Sequence, residues 1–119
     1  MKKEIKDYVI EQTKNLIDAG SVCKEAKEAA TRWLKALDTS EEKAETVKYI
    51  AELEEDIETI EDLLLFTRSD LPIKLFGEEK AKLFSAHAEE LYKSGAKYCD
   101  CPACTACANI LAKKDEILN

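Results

Sequence analysis

The sequence is poor in the residues that favour turns, with only three glycines and two prolines among 119 residues. Alanine, glutamate, lysine and leucine dominate instead, a composition typical of helical bundles. No apolar run approaches the roughly 18 residues that a membrane-spanning helix needs, and no strand pattern or internal repeat is visible. We therefore expect an all-α fold, an irregular up-down helical bundle of five or six helices that forms a single domain over residues 1–119.

The sequence also lacks an excess of positive charge. Its 18 basic residues are outnumbered by 25 acidic ones, which gives a net charge of −7. Such a chain has few cations to neutralise phosphates, so neither nucleic acid nor an anionic membrane surface is an expected partner. Five of the first seven residues are charged, and no apolar signal segment follows them. We expect a cytoplasmic protein, and any partner is expected to be another protein.

Signatures of catalysis are scarce as well. The chain has one histidine, His87, whose position on an apolar helical face predicts a core or half-buried packing residue rather than a ligand. No glycine-rich phosphate loop, nucleophile–histidine pair or Glu-x-x-His di-iron pattern is present. We therefore predict no catalytic residue, and an enzyme is the less favoured class.

Glycine and capping residues divide the chain into helices. Gly20 is suited to the end of a first helix over residues 3–19, and Ser21 is suited to cap a second over residues 22–37. Residues 39–42 form a capping box for a third helix. Two further helices are expected over residues 78–94 and 102–118.

The third helix is ambiguous. An apolar stripe from Ile50 to Leu64 favours one long helix to about residue 67, but seven acids between residues 52 and 62 repel one another at helical spacing. We expect a break between Asp56 and Thr59, with Asp56 as a possible cap of the next helix. Residues 73–77 are expected to form a connector with Leu75 and Phe76 turned inward.

The five cysteines are the residues of this chain most suited to bind a metal or to react. Four of them lie within nine residues near the C-terminus, Cys99, Cys101, Cys104 and Cys107, and Cys23 stands apart. An odd number of thiols in a reducing compartment argues against a disulfide framework. Thiols two and three residues apart can converge on one metal ion without help from the rest of the fold.

Pro102 is suited to the first position of the last helix, which makes Cys101 its N-cap and Cys104 its third residue. There the helix dipole stabilises thiolates as ligands or nucleophiles. With Cys99 from the preceding loop, these cysteines supply three ligands. We expect Cys23 to be the fourth because packing alone gives no reason for a cysteine there.

Cys107 is the second choice as fourth ligand. It lies on an apolar stripe, where cysteine often packs as a small hydrophobe instead of binding a metal. The choice depends on topology. In an up-down bundle, a break between residues 56 and 59 adds the reversal that brings Cys23 and Cys99 to the same end. The assignment of Cys23 and the helix break are therefore linked.

Four thiolates are the ligand set of a closed, structural zinc site, so we predict a metal-binding accessory or interaction module. Three alternatives remain open. The cysteine spacing is similar to that of iron–sulfur proteins, Cys101 and Cys104 have the spacing of a redox dithiol or sensor, and the cysteines can simply pack in a helical adaptor.

Several segments together resemble a family of short proteins from anaerobic bacteria that carry the automatic label "molecular chaperone Hsp90". They are residues 98–104, residues 48–54, the Phe-Gly pair at 76–77, and Cys23 ahead of residues 25–27. The resemblance covers nearly the whole chain and implies a shared thiol site formed by Cys23, Cys99, Cys101 and Cys104, with Cys107 as a departure.

The resemblance implies an anaerobic setting, which favours the iron–sulfur alternative somewhat, and it implies no activity. In relatives, proline can stand at the position of Thr59, and a proline there favours the start of a helix at this position. The chaperone label has no support in these residues, because the chain lacks a nucleotide-binding loop and is far too short for that ATPase.

Overall fold

The computed structural model describes residues 1–119 and contains eight helices and no strand, which confirms the all-α prediction. The structure has two or three more helices than the five or six expected. The helices are α1 (Lys3–Asp18), α2 (Lys24–Ala36), α3 (Glu42–Asp56), α4 (Ile60–Thr67), α5 (Leu71–Phe76), α6 (Glu78–Lys93), α7 (Pro102–Leu111) and α8 (Lys114–Leu118). None of them combines the length and the apolar character that crossing a bilayer requires.

The helices form two compact units. The first consists of Met1–Ile57 with Asp100–Asn119, and the second of Glu58–Cys99. The first unit therefore contains α1, α2, α3, α7 and α8, and the second contains α4, α5 and α6.

The core of the first unit is held by paired polar groups as well as by apolar packing. The indole nitrogen of Trp33 donates a hydrogen bond to the Thr46 hydroxyl at 2.9 Å, and the hydroxyls of Thr13 and Tyr49 are 2.8 Å apart. The rings of Trp33 and Tyr49 stack with centroids 5.3 Å apart. Because buried polar groups without partners are costly, these pairs fix the register of α1, α2 and α3.

Two of the predicted helix caps are wrong. The N-cap of α2 is Cys23 rather than Ser21, because the Ser21 hydroxyl instead accepts the backbone N–H of Ala103 in α7 at 3.2 Å. The N-cap of α3 is Glu41, without a capping side chain. The Thr39 hydroxyl donates to the carbonyl of Ala36 and accepts the N–H of Glu41, and a carboxylate oxygen of Glu42 accepts the N–H of Asp38. Each of the two accepted hydrogen bonds therefore lies one residue away from its place in the predicted capping box.

The predicted break between Asp56 and Thr59 is confirmed. Helix α3 ends at Asp56, and α4 begins after Thr59, whose hydroxyl accepts the backbone N–H of Asp62 at 3.2 Å. The new helix is therefore capped by Thr59 and not by Asp56. In the second unit, Thr59 also forms an isolated antiparallel bridge with Tyr98.

The predicted connector over residues 73–77 is wrong, since most of it belongs to α5. Leu75 and Phe76 are not turned inward, with 64% and 47% of their surface exposed. A helix of six residues is too short to bury all its apolar side chains on one face, and Phe76 instead stacks against Phe84 at a centroid distance of 6.2 Å. His87 is exposed too, because α6 turns Ala81 and Ala88 inward.

Candidate metal site

Three of the five thiols form a compact group. The sulfur atoms of Cys99, Cys101 and Cys104 all lie within 4.8 Å of one another, with Cys104 buried and the other two half-buried. The three residues fall within six consecutive positions, so the local course of the chain produces the group. A tetrahedral zinc ion with Zn–S bonds of about 2.3 Å holds its sulfur atoms about 3.8 Å apart. A contraction of about 1 Å or less is therefore enough to bring the three thiolates onto one ion.

The start of α7 positions two of these thiols as predicted. Cys101 is the N-cap, Pro102 occupies the first turn, and the backbone N–H of Cys104 donates to the Cys101 sulfur at 3.4 Å. Proline is favoured at this position because it has no N–H, and an N–H there would find no acceptor within the helix. The backbone N–H groups and the dipole at a helix start favour negative charge on nearby sulfur atoms.

Backbone hydrogen bonds hold the third thiol. The N–H of Cys99 donates to the carbonyl of Glu58 at 3.0 Å, and the N–H of Ile60 donates to the carbonyl of Lys97 at 2.9 Å. The Cys99 side chain is partly buried against the core cluster of the second unit, which contains Ile60 and Leu63. Cys99 is therefore held by an ordered chain segment before any metal binds.

Cys23, the predicted fourth ligand, lies outside this group of three. It is exposed and caps the start of α2, and the contact between Ser21 and Ala103 places that start beside the start of α7. Burial of the thiol and the nearby carboxylate of Asp56 raise the pKa of Cys23, whereas the backbone N–H of Ala26 lowers it. The assignment of Cys23 as a ligand remains a prediction.

Cys107, the alternative ligand, is 3% exposed on α7. The pKa of its thiol is raised to about 12, mainly by burial, with smaller contributions from the nearby Cys23, Asp56 and Cys101 in that order. A thiol with such a pKa is protonated at neutral pH. Without a metal, Cys107 therefore behaves as the small apolar packing residue that its place on the helix predicts.

Sequence analysis missed the environment of Asp56, which it considered only as a helix cap. One carboxylate oxygen, Oδ2, is buried and has no hydrogen-bond partner. A hydrogen bond with Asp56 is the main cause that raises the pKa of Glu52. The signal in the sequence was the break itself, since it leaves an acid in the last turn of α3, where the helix dipole disfavours negative charge.

Comparison of the chain with protein-family models, curated proteins and solved structures found no match. The resemblance to the family from anaerobic bacteria therefore stays an expectation.

Proposed function

We propose that this protein is a small metal-binding helical protein in which Cys99, Cys101 and Cys104 hold one zinc ion as thiolates. The observation that carries the proposal is the mutual distance of at most 4.8 Å between the three sulfur atoms. Thiolates are the preferred ligands of structural zinc sites. In this proposal the ion stabilises a cytoplasmic accessory or interaction module, and it takes no part in a reaction.

The same distances favour a single ion over a four-iron cluster. In a [4Fe–4S] cluster each thiolate binds a different iron atom, so the sulfur atoms stand farther apart than when they share one ion. Three sulfur atoms within 4.8 Å of one another suit a mononuclear site. Zinc is the ion we propose, because it prefers tetrahedral thiolate sites and needs no redox partner.

Cys23 is our proposed fourth ligand, with Cys107 as the alternative. The contact of Ser21 with Ala103 supports Cys23, since it already joins the start of α2 to the start of α7. An ion bound by Cys23, Cys101 and Cys104 would clamp the same two helix ends. Such a clamp contributes to the stability of the first unit because metal binding is coupled to folding.

The test is elemental analysis, with a visible absorption spectrum, of protein purified without oxygen and without a histidine tag. We expect one zinc per chain and a colourless protein. A variant with Cys101 and Cys104 both changed to serine should lose the metal, whereas changing the buried Cys107 to alanine should not. A brown protein with iron and sulfide would contradict the choice of zinc, and a folded, metal-free protein would contradict the metal site.

A redox dithiol is the second candidate function, and the contact between the Cys104 N–H and the Cys101 sulfur favours it. A sulfur atom at a helix N-cap is stabilised as a thiolate and can attack a disulfide. This candidate predicts a metal-free protein with reversible oxidation of Cys101 and Cys104 to a disulfide. Mass spectrometry of alkylated protein after defined redox equilibration separates it from the zinc proposal.

A further inference from the structure

The second unit exposes most of the large apolar side chains that the chain leaves in contact with solvent. Eight of the ten exposed large apolar residues lie in Glu58–Cys99, although this unit contains only 42 of the 119 residues. Its buried core cluster is small and contains Ile60, Leu63, Leu64 and Ala88. A unit of this length rarely builds a sufficient core from its own side chains, and association with a further chain is a common way to cover the remaining apolar surface.

Six of these exposed residues form one patch on α5 and the first half of α6, which we call the α5 patch. Its members are Leu71, Ile73, Leu75, Phe76, Leu83 and Phe84. A helix of six residues is about 9 Å long, so the members on α5 are close neighbours. Phe76 joins them to α6, because its ring stacks on that of Phe84 with centroids 6.2 Å apart. The ring of Phe84 also meets that of Phe66 on α4 edge to face at 6.0 Å, so the patch lies over packed aromatic rings from all three helices of the unit.

The α5 patch is large enough for the interface of a dimer. Between 38% and 73% of the surface of each member is exposed. With about 180 Å² for a fully exposed large apolar residue, the six members expose about 600 Å², which is the upper end of the range for apolar patches on monomers. Homodimer interfaces are about 65% apolar, so this area corresponds to an interface of about 900 Å² per partner. Stable interfaces bury about 600–1,000 Å² per partner, and the patch therefore meets the requirement of a stable dimer.

The charges around the α5 patch favour a second copy of the chain as its partner. Residues 70–84 carry three acidic and three basic side chains, whereas the whole chain has a net charge of −7. Some of these charges are already paired, as Lys74 is with Asp70 at 3.2 Å. Two copies that meet at this face therefore bring no net like charge together, although they repel each other elsewhere. The same balance gives a strongly acidic or basic partner no advantage, and a helix that binds a membrane surface is rich in lysine and arginine on its polar face.

We infer that the α5 patch is the interface of a homodimer, in which it packs against the same patch of a second copy. Contact of a patch with itself gives an interface with two-fold symmetry, which is closed after two copies. The apolar side chains of both patches would then form one shared core and complete the small core of the second unit. The inference uses no residue of the proposed metal site, so it does not depend on the proposed function.

The first test is the mass of the full-length protein in solution. Sedimentation equilibrium in reducing buffer, over about 1–300 µM protein, covers the dissociation constants of weak and moderately stable dimers. We expect a species with twice the 13.4 kDa mass of one chain to predominate at the higher concentrations. A protein that stays monomeric at the highest concentration would overturn the inference and leave the patch to a different partner.

The second test locates the interface with two lysine substitutions. Leu83 is the most exposed member of the patch, at 73%, so Leu83→Lys leaves the core of a single chain intact. It should weaken dimerisation at least tenfold, because it places a positive charge from each copy in an apolar contact. Leu65→Lys is the matched control, since Leu65 is 72% exposed in the same unit but lies on α4 outside the patch, and it should change the dissociation constant less than twofold.

Far-UV circular dichroism checks that both variants are as helical as the parent protein. A dimer that is unaffected by Leu83→Lys, as a dimer bridged by a metal ion would be, would overturn the inference. Equal weakening by Leu83→Lys and Leu65→Lys would also overturn it, because the contact would then not be specific to the α5 patch.

Discussion

Changing Cys23 to serine should remove most of the stabilisation that zinc gives to the fold and leave much of the zinc binding intact. The reason lies in the sequence separation of the ligands. Cys99, Cys101 and Cys104 fall within six residues, so an unfolded chain can also bind zinc through them. A ligand shared by the folded and unfolded states contributes little to the free energy of unfolding.

Cys23 differs because it lies 78 positions before Cys101. Closing a loop of this length in the unfolded chain costs about 4.5 kcal/mol by the chain-entropy relation for disulfides, and disulfide cross-links typically give about 2–4 kcal/mol. In the folded chain this loop is already closed, since the contact between Ser21 and Ala103 joins the two helix starts. For a chain of this length, about 1 kcal/mol corresponds to about 4 °C in Tm.

We therefore expect zinc to raise the Tm of the parent protein by about 8–18 °C more than it raises the Tm of Cys23→Ser. The assay is thermal unfolding followed by circular dichroism, with and without saturating zinc, in reducing buffer. Cys107→Ala is the matched control and should keep the full zinc-dependent gain. An equal gain in the parent and in Cys23→Ser would refute Cys23 as a ligand, and a gain lost only in Cys107→Ala would assign the fourth position to Cys107.

Three further outcomes follow from the structure. Tyr49→Phe should cost about 1–3 kcal/mol in urea unfolding because it leaves the buried hydroxyl of Thr13 without its partner at 2.8 Å, and the double variant with Thr13→Val should recover part of that loss. Thr59→Ala should cost about 1 kcal/mol by removing the cap on the N–H of Asp62, whereas Thr59→Ser should be nearly neutral. In metal-free protein the raised pKa of Cys107, about 12 against an ordinary value of 9.0, favours the protonated thiol in the folded state. Its contribution to stability is therefore complete below about pH 9 and is lost as the pH rises towards 12, so the free energy of unfolding should fall less steeply over this range in Cys107→Ala.

The features that sequence analysis predicted correctly depend on interactions between near neighbours in the chain. Pro102 fixes the start of α7, which places Cys101 at the N-cap and Cys104 in the first turn. The break after Asp56 follows from repulsion between acids one helical turn apart. These effects act within five or six residues, so the sequence alone was sufficient to find them.

The features it missed depend on contacts between distant segments. Ser21 is a good N-cap residue, but its hydroxyl accepts a hydrogen bond from Ala103, 82 positions away. The C-terminal helix ends at Leu111 and restarts at Lys114 with neither glycine nor proline between them. No local pattern reveals that Oδ2 of Asp56 is shielded from solvent without a hydrogen-bond partner.

The distance in sequence between the ligands also determines how much a bound metal would stabilise the fold. If only Cys99, Cys101 and Cys104 held the ion, a peptide of six residues would provide the same ligands, and the helices around it would gain little from the metal. With Cys23 at the start of α2 as the proposed fourth ligand, the ion would also bind a residue that is distant in the sequence. A metal that joined the starts of α2 and α7 would stabilise one arrangement of those helices over others. On this proposal the metal fixes the starts of α2 and α7, and a partner that recognises those helix starts would bind the metal-loaded form in preference to the metal-free form.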